Sequence, residues 1–411
     1  MTASRRQNPA RSKYTHMPKD NAIYSSQGHL AYYLKHGLSP TNYDTRDLLA
    51  HLQRRESLYR SLGLPPAAFS GARVLEVAAG TGQNSLYVAS CMPSALTLLE
   101  PNPVARGELG SSYAEFVLPH TRPVVEPKLF QDFSSSEPFD IVICENWLGH
   151  LPDDRALVRK LGQLVAPGGA LVMTMMPMPG FIANVIRKIM ADLIVRNETD
   201  FATRGRVLAD AFGPHLATIT GMTRSHASWI ADCMLNPHFL NVVIPPAVIV
   251  EELGEELDVL STNPVFQTDW RWFKTLHGDN RRFNDSFLES YLRNSHNFID
   301  YQHTYPPRSI EDNRRIEQAA LAVHNAGLEI EKQLNEGGNR SGTHLLEFAE
   351  SVGHFAASIA DLDPDLGRAF SEAKGALAKP DLSAHDIAGL KLFGPIFGRE
   401  TVYVSLTRGK F

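Results

Sequence analysis

Residues 74–86 read VLEVAAGTGQNSL, a short apolar run followed by two closely spaced glycines and the start of a helical segment. Gly80 and Gly82 allow backbone conformations that other residues avoid, and they let a ligand approach without meeting a Cβ atom. This order predicts a buried strand, a tight turn and a helix, with a nucleotide-like ligand lying across the turn.

Short apolar runs continue to alternate with helical stretches through the next hundred residues. The stretch Arg155–Val165 has a good amphipathic pattern and is expected to end at Ala166-Pro167-Gly168-Gly169. Such alternation builds a parallel sheet with helices on its faces. The five runs predicted as strands are residues 74–77, 95–99, 128–130 (the weakest), 139–144 and 170–175.

The segments on either side of this region have a helical pattern. Two helices are predicted between Asn21 and Leu64, and the chain after Pro179 is mostly helical until a β-branched segment, Glu400–Thr407. The predicted fold is therefore α/β, a Rossmann-like doubly wound sheet with N-terminal helices and a large, mostly helical C-terminal insertion. The expected division is a flexible tail (1–20), an N-terminal helical cap (21–66), the core (67–180), the insertion or acceptor domain (181–395) and a last strand that returns to the core sheet (396–411).

Two places within the insertion fit a helix, a turn and one further strand of the sheet. The first is Pro246–Leu253 followed by Leu257–Leu260, and the second is Ile310–Asn325 followed by Leu328–Leu334. We favour the first, because Val259 and the residues after it suit a strand better than the Glu-Lys-Gln run of the second.

The composition is that of an ordinary globular protein. The 411 residues carry 40 Lys and Arg against 45 Asp and Glu, so no global positive field favours nucleic acid. The uncharged stretch Ala166–Ile186 contains three prolines and three glycines, which fits a strand, a loop and a helix start better than a membrane span. Three scattered cysteines indicate a reducing, cytoplasmic setting.

An acidic residue, Glu100, follows the second predicted strand, eighteen residues beyond Gly82. In a doubly wound sheet this position lies beside the first glycine turn, where a carboxylate can accept hydrogen bonds from both ribose hydroxyls. The same spacing would suit NAD, but the usual dinucleotide pattern has a third glycine where Ser85 stands.

Taken together, these features resemble the class I S-adenosylmethionine (SAM)-dependent methyltransferases. The resemblance covers residues 70–180, and it rests on acids ending the first two strands (Glu76 and Glu100), on Gln131-Asp132-Phe133 before the fourth strand, and on Pro167-Gly168-Gly169 before the fifth. Ala78 stands where the family's fuller glycine pattern has its first glycine.

The resemblance implies SAM as the cofactor and assigns it a set of binding residues. Gly80, Gly82 and the turn backbone would hold the methionine and ribose portions, Glu76 would order the turn, and Glu100 would bind the ribose. Asp132 would accept a hydrogen bond from the adenine amino group. The complete predicted set is Glu76, Ala78, Gly80, Gly82, Gln83, Glu100, Pro101, Asn102, Asp132, Phe133 and Glu145.

The acceptor side has weaker signals. His150, in the loop after the fourth strand, is the candidate general base, because imidazole titrates near neutral pH; it would equally serve to order that loop. The candidate acceptor contacts are Tyr24, Tyr32, Tyr33, Trp147, Trp270 and Arg271, each of which has packing as the alternative role. No His/Cys/Asp grouping with ligand spacing is present, so no metal is predicted.

The predicted activity is methyl transfer to an O or N atom of a small molecule, such as a sugar or glycan precursor or a secondary metabolite. No nucleic-acid or membrane partner is expected, and the oligomeric state is left open, with a dimer as one option. Two alternatives stay open. One is transfer of the aminocarboxypropyl group of SAM, and the other is a scaffold that binds a partner through the helical insertion.

Overall fold

The centre of the fold is a seven-stranded sheet. The structure, a computed structural model, describes residues 28–39, 42–116, 120–149, 154–240, 244–335 and 342–410. Within these residues the strands are β1 (Arg73–Val77), β2 (Ala95–Leu99), β3 (Val124–Glu126), β4 (Phe139–Cys144), β5 (Val165–Met175), β6 (Leu257–Asn263) and β7 (Val402–Arg408).

The strand order is β3-β2-β1-β4-β5-β7-β6. Strands β1 to β5 are parallel, whereas β7 runs antiparallel to both of its neighbours, β5 and β6. This mostly parallel sheet with helices on its faces confirms the predicted Rossmann-like α/β fold. Because β7 is antiparallel, its first residues lie at the edge where the parallel strands end.

Both faces of the sheet are covered, which is why its central strands read as continuous apolar runs. Successive side chains of a strand point to opposite faces. Thus Leu75 and Val77 of β1 belong to one hydrophobic cluster and Val74 to another. The parallel part of the sheet therefore needs helices on each side of it.

Helices occur before, between and after the strands. The N-terminal helices are α1 (Gly28–His36), α2 (Leu48–Ser61) and the short α3 (Pro66–Phe69), and this confirms the predicted pair before the first strand. Helix α2 begins where the Asp47 side chain accepts a hydrogen bond from the backbone N–H of Ala50, at 2.9 Å. The helices between the core strands are α4 (Ser85–Ser90), α5 (Pro103–Glu115) and α6 (Asp154–Gln163).

The C-terminal part is mostly helical, as predicted, and has a hydrophobic core of its own. At its centre is α7, on which Phe181, Ile186 and Met190 are fully buried. The helices are α7 (Met178–Val195), α8 (Phe201–Leu216), α9 (His226–Trp229), α10 (Pro246–Leu253), α11 (Phe283–Asn294), α12 (Ile310–Asn335), α13 (Gly342–Ile359), α14 (Pro364–Leu377) and α15 (Ala384–Ala388).

The choice between the two candidate sixth strands is settled in favour of the first. Strand β6 follows α10 and pairs with β7. The second candidate is a single helix, α12, which continues through Gly327 without a break. A Cβ atom at Gly327 would lie 3.0 Å from Val185 Cγ1, so this glycine serves helix packing rather than a turn.

Two predicted boundaries are wrong. The third strand is Val124–Glu126, between Pro123 and Pro127, and not residues 128–130; Phe130 instead begins a 3₁₀ turn and is buried. The helix expected over Arg155–Val165 ends at Gln163. Strand β5 already begins at Val165, so the Pro-Gly-Gly segment is a bulge inside β5, with Gly168 at φ +78°.

The uncharged stretch 166–186 forms the rest of β5, a short connection and the beginning of α7, as predicted. In the part of the chain that the structure describes, no helix has the length and apolar character that crossing a bilayer requires. The division into a tail, a cap, a core and an acceptor domain stays a prediction.

Candidate active site

A cavity of about 380 Å³ lies at the edge of the sheet where the parallel strands end. Cavities of this size suit small molecules, and ligands of open α/β sheets bind at this edge. Its walls come from segments that are far apart in sequence. Lining residues include Tyr33, Glu76, Ala78, Gly80, Glu100, Pro101, Asn102, Gln131, Glu145, Trp147, Arg224, Trp229, Asp232 and Glu400.

The glycine turn is tied to the end of β2 through the carboxylate of Glu100. The backbone N–H of Gly80 donates to Oε2 at 2.7 Å, and that of Asn102 donates to Oε1 at 2.8 Å. Burial raises the pKa of Glu100, while these two hydrogen bonds act in the opposite direction. Each carboxylate oxygen keeps a second lone pair that can accept a hydroxyl proton.

The turn itself uses left-handed backbone conformations. Ala78, Gly80 and Gly82 have φ values of 57°, 57° and 71°. A Cβ atom at Gly82 would lie 2.6 Å from Leu109 Cγ, so this glycine also permits close packing against α5. Ala78 adopts a conformation that is uncommon for a residue other than glycine, which shows that the turn is held by its surroundings.

Glu76, at the end of β1, has an unpaired oxygen at the cavity. Its side chain is buried, and Oε2 has no hydrogen-bond partner among the described residues. Burial, followed by the nearby Glu145 carboxylate, raises the pKa of Glu76 to about 8, against the effect of Arg55. A buried acceptor without a partner is unfavourable, so a ligand that donates to it would be stabilised.

Glu145 also lines the cavity, but its charge is already paired. Nη2 of Arg55, from α2, lies 2.6 Å from Oε1 and 2.8 Å from Oε2 of Glu145. The hydroxyl of Tyr59 donates to Oε1 at 2.9 Å. Both members of the ion pair are buried, so α2 is attached to the end of β4 by a pair shielded from water.

Gln83 holds the segment that covers the turn and does not line the cavity. Its Oε1 accepts from the backbone N–H of Tyr43 at 2.7 Å, and its Nε2 donates to the Tyr43 carbonyl at 2.9 Å. Asn102 acts similarly, since its Nδ2 donates to the Leu38 carbonyl at 2.9 Å. Both residues therefore bind the N-terminal segment, and Asn102 also lines the cavity, so their predicted contacts with the cofactor stay predictions.

Asp132, the predicted acceptor for the adenine amino group, is the last residue of a 3₁₀ turn, Phe130–Asp132. Gln131 lines the cavity, whereas the side chain of Asp132 is exposed and lies outside the lining. Phe133 is buried against Phe139 in the core. Pro101 lines the cavity, and its contact with the adenine stays a prediction.

The predicted acceptor contacts fall into three groups. Tyr33 and Trp147 line the cavity, while Tyr32 packs behind it and donates to the Ala231 carbonyl at 2.6 Å. Trp270 is 93% exposed and Arg271 pairs with the neighbouring Asp269, so neither reaches the cavity. Tyr24 and the candidate base His150 lie outside the described residues.

Several polar cavity residues escaped the sequence analysis. Arg224, Asp232 and Glu400 meet in one group at the side of the cavity near β5 and β7, together with Tyr33. The sequence offered one signal for Glu400. It lies two residues before the closing strand, a position that places an acid at this edge of the sheet. No local pattern marks Arg224 or Asp232.

Comparison with known proteins gives a family match for the part of the chain that builds most of this site. Residues 49–194 match the family described as a methyltransferase domain. No curated protein sequence matches the chain significantly.

Among solved structures, the chain is similar to the N-methyltransferase NodS from Bradyrhizobium japonicum, in complex with S-adenosyl-L-homocysteine. The identity is 17%, the match covers 51% of this chain and 76% of that one, and the TM-score is 0.30. It is also similar to magnesium protoporphyrin IX methyltransferase (ChlM) from Synechocystis with bound S-adenosylhomocysteine (SAH). Here the identity is 14%, the match covers 58% and 90% of the two chains, and the TM-score is 0.33.

Proposed function

We propose that this chain, whose residues 49–194 match a methyltransferase-domain family, is a class I SAM-dependent methyltransferase that transfers the methyl group of SAM to a small-molecule acceptor bound in the same cavity. One observation carries the proposal. The carboxylate of Glu100 is fixed by the N–H groups of Gly80 and Asn102 at the wall of the cavity, and lone pairs remain for two neighbouring hydroxyls.

The residues around the cavity fit SAM along its length. Glu100 would bind the ribose hydroxyls, and Pro101 and Gln131 line the wall where the adenine would lie. The unpaired Oε2 of Glu76 would accept from the ammonium group of the methionine portion. The left-handed turn through Gly80 leaves room for the ligand beside the backbone.

SAM supplies a methyl group on positively charged sulfur, which is already activated for transfer. The protein's task is then to hold an acceptor atom in line with that methyl group and to exclude water. Trp147 and Met176 supply apolar walls beside the ends of β4 and β5, where the methyl group would point. The acceptor would reach the cavity from the helical side, where Tyr33 and Trp229 lie.

The two alternatives give different results in simple experiments. Methyl transfer releases SAH, whereas transfer of the aminocarboxypropyl group releases methylthioadenosine, and chromatography of the products separates the two. A scaffold would be well folded without binding SAM. The cytoplasmic location and the oligomeric state stay predictions.

Calorimetric titration with SAH of the wild-type protein and of Glu100→Gln tests the proposal. A glutamine amide would place an N–H₂ group against one of two backbone N–H donors, and the ribose would lose a charged acceptor. Hydrogen bonds to charged groups contribute about 1.5–3 kcal/mol, so we expect SAH affinity to fall tenfold or more. Glu115→Gln, at the exposed far end of α5, is the matched control and should bind like wild type. Unchanged affinity in Glu100→Gln, or no binding to folded wild-type protein, would overturn the proposal.

A further inference from the structure

Glu400 lies at the opposite end of the cavity from Glu100. It comes two residues before β7, whose first residue, Val402, pairs with Met175 at the end of β5. In the strand order, β7 is four positions from β2. At about 4.8 Å per strand, the ends of these two strands lie roughly 19 Å apart along the edge of the sheet. Glu400 therefore belongs to the end of the cavity away from the ribose site.

The cavity wall is acidic as a whole. Among the described lining residues, five carry carboxylates (Glu76, Glu100, Glu145, Asp232 and Glu400), and one, Arg224, carries a guanidinium group. Glu145 is paired with Arg55 and Asp232 with Arg224, so the acids of this wall that form no ion pair with a described residue are Glu76, Glu100 and Glu400.

At the far end of the cavity, the charge of Asp232 is compensated within the protein. Its Oδ2 lies 2.9 Å from Nη1 of Arg224, and the hydroxyl of Tyr33 donates to its Oδ1. Both Arg224 and Asp232 come from the region around α9, and Tyr33 comes from α1. This group closes one side of the cavity without leaving a net charge there.

Glu400 forms no ion pair with any of the residues that the structure describes. Nδ2 of Asn184 donates to its Oε2, and among the described residues nothing donates to Oε1. Arg187, which also faces Glu400, donates through Nη2 to carbonyl oxygens after α15, including that of Gly394 at 2.9 Å. Arg224 is already paired with Asp232. Glu400 is therefore the acid at this end of the cavity that has a free acceptor oxygen.

The cavity that Glu400 lines also has aromatic walls. Tyr33, Trp229, Phe181 and Phe239 line the cavity, and the rings of the two phenylalanines lie 5.2 Å apart. The faces of aromatic rings attract cations, and Trp does so most strongly. A carboxylate surrounded by aromatic rings selects an organic cation over a neutral or anionic group of the same size.

We propose that the acceptor is an amine, bound as its ammonium form between these aromatic side chains, and that the carboxylate of Glu400 takes the proton from its nitrogen. This inference rests on the proposed function, because it assigns the acceptor of the same cavity.

In the proposed reaction, proton transfer to Glu400 comes before methyl transfer. The Glu400 carboxylate accepts one N–H proton from the ammonium group, which leaves a neutral amine with a free lone pair. The lone pair forms the N–C bond to the methyl group of SAM as the C–S bond breaks, and the electrons of that bond stay on sulfur in neutral SAH. The methylated product is an ammonium ion, and the proton on Glu400 leaves to water.

The environment of Glu400 agrees with this role. Burial is the main cause that raises its pKa to about 7, and Asp232 adds to it, while Asn184, Arg224 and Arg187 act in the opposite direction. A carboxylate that titrates near neutrality can accept a proton and return it to water at physiological pH. Cys233, also beside Glu400, is neutral at this pH because burial raises its pKa.

The test compares amines with alcohols of the same shape on SAH-saturated protein. Benzylamine and cyclohexylmethylamine are each titrated against the corresponding alcohol, and benzoate serves as the anion, with binding followed by ligand-detected NMR. We expect each amine to bind at least tenfold more tightly than its alcohol, and benzoate to bind most weakly. Affinity for the amines should rise with pH through about 7, as Glu400 loses its proton.

Variants separate this role from a structural one. Glu400→Gln should remove both the preference for amines and its pH dependence, while SAH affinity stays within twofold of wild type. Glu400→Asp keeps the charge and should keep the preference, and Glu255→Gln, an exposed control, should match wild type. Equal binding of amines and alcohols, a preference for benzoate, no amine binding, or an unchanged preference in Glu400→Gln overturns the inference. Failure of wild-type protein to bind SAH would instead refute the proposed function.

Discussion

Replacing Glu76 by Gln should abolish a release of protons that accompanies ligand binding to the wild-type protein. In the free protein, burial and the nearby Glu145 carboxylate raise the pKa of Glu76 to about 8, so the group is mostly protonated at pH 7. In the proposed binding mode the ammonium group of SAH lies against Oε2, where it would favour the ionised carboxylate. Binding then forces Glu76 to give up its proton.

The size of the effect follows from that pKa. With a pKa of about 8 in the free protein, Glu76 holds about 0.9 proton at pH 7, about 0.5 at pH 8 and about 0.1 at pH 9. If binding lowers the pKa well below 7, those are the numbers of protons released per SAH bound. The release should therefore decrease steadily between pH 7 and pH 9.

Calorimetric titration with SAH in phosphate and in Tris, which differ in ionisation enthalpy, measures the release. The apparent binding enthalpy of wild-type protein should differ between the buffers at pH 7 and converge by pH 9. Any difference between the buffers that wild type still shows at pH 9 is subtracted first. After this correction, Glu76→Gln should have the same apparent binding enthalpy in both buffers at every pH from 7 to 9. Glu56→Gln, an exposed change on α2, should behave as wild type. Buffer-independent enthalpies for wild type at pH 7, or the same dependence in Glu76→Gln, would show that Glu76 does not meet the ammonium group.

The same carboxyl affects folding stability in a defined direction. The folded-state pKa of Glu76 lies above the ordinary value of 4.5, so the folded state holds the extra proton between pH 4.5 and pH 8. The free energy of unfolding should therefore fall as pH rises through this range, with an upper limit of about 5 kcal/mol for this group. Denaturant unfolding of Glu76→Gln should have a flatter pH dependence. A variant curve that parallels that of wild type would contradict the shift.

Three further substitutions test the construction of the site. Gly82→Ala and Gly71→Ala both place a side chain at positive φ, which costs about 1–2 kcal/mol of unfolding free energy, and Gly82→Ala should lose more because its Cβ atom would lie 2.6 Å from Leu109 Cγ. Only Gly82→Ala should lower SAH affinity at least tenfold, because only its Cβ atom meets α5. An equal loss of SAH affinity in both variants would contradict this. Arg55→Met should cost about 3–5 kcal/mol in urea unfolding, since Glu145 stays buried without its partner, whereas a loss under 1 kcal/mol would show that water reaches the pair. Asp132→Ala should keep SAH affinity within about twofold of wild type, because the side chain is exposed outside the cavity. A larger fall would show that Asp132 does contact the adenine.

Much of the core could be predicted from the sequence, because the signals there are local. The boundaries of β2 and β4 are those expected from their apolar runs, and the turn through Gly80 and Gly82 lies where the glycines predicted it. Glu100 lies beside that turn because the carboxyl ends of neighbouring parallel strands share one edge. A strand flanked by helices on both faces is recognisable from its own residues alone.

Short or irregular segments were harder to predict. Strand β3 has three residues, too few for a periodic pattern, and the true strand was missed between its two prolines. The 3₁₀ turn at residues 130–132 turns Gln131 to the cavity and Asp132 to solvent, a difference of one residue that composition does not reveal.

The sequence alone determined the central strands, the glycine turn, and Glu76 and Glu100 at the edge of the sheet, since each is marked by residues that are close together in the chain. Tertiary structure was needed to place the far end of the cavity. Tyr33 and Asp232 are 199 positions apart, and Glu400 follows much later, yet they line one wall. Contacts over such separations depend on how the C-terminal helices pack against the sheet, and the free energy of that packing is spread over many buried side chains rather than contained in any motif.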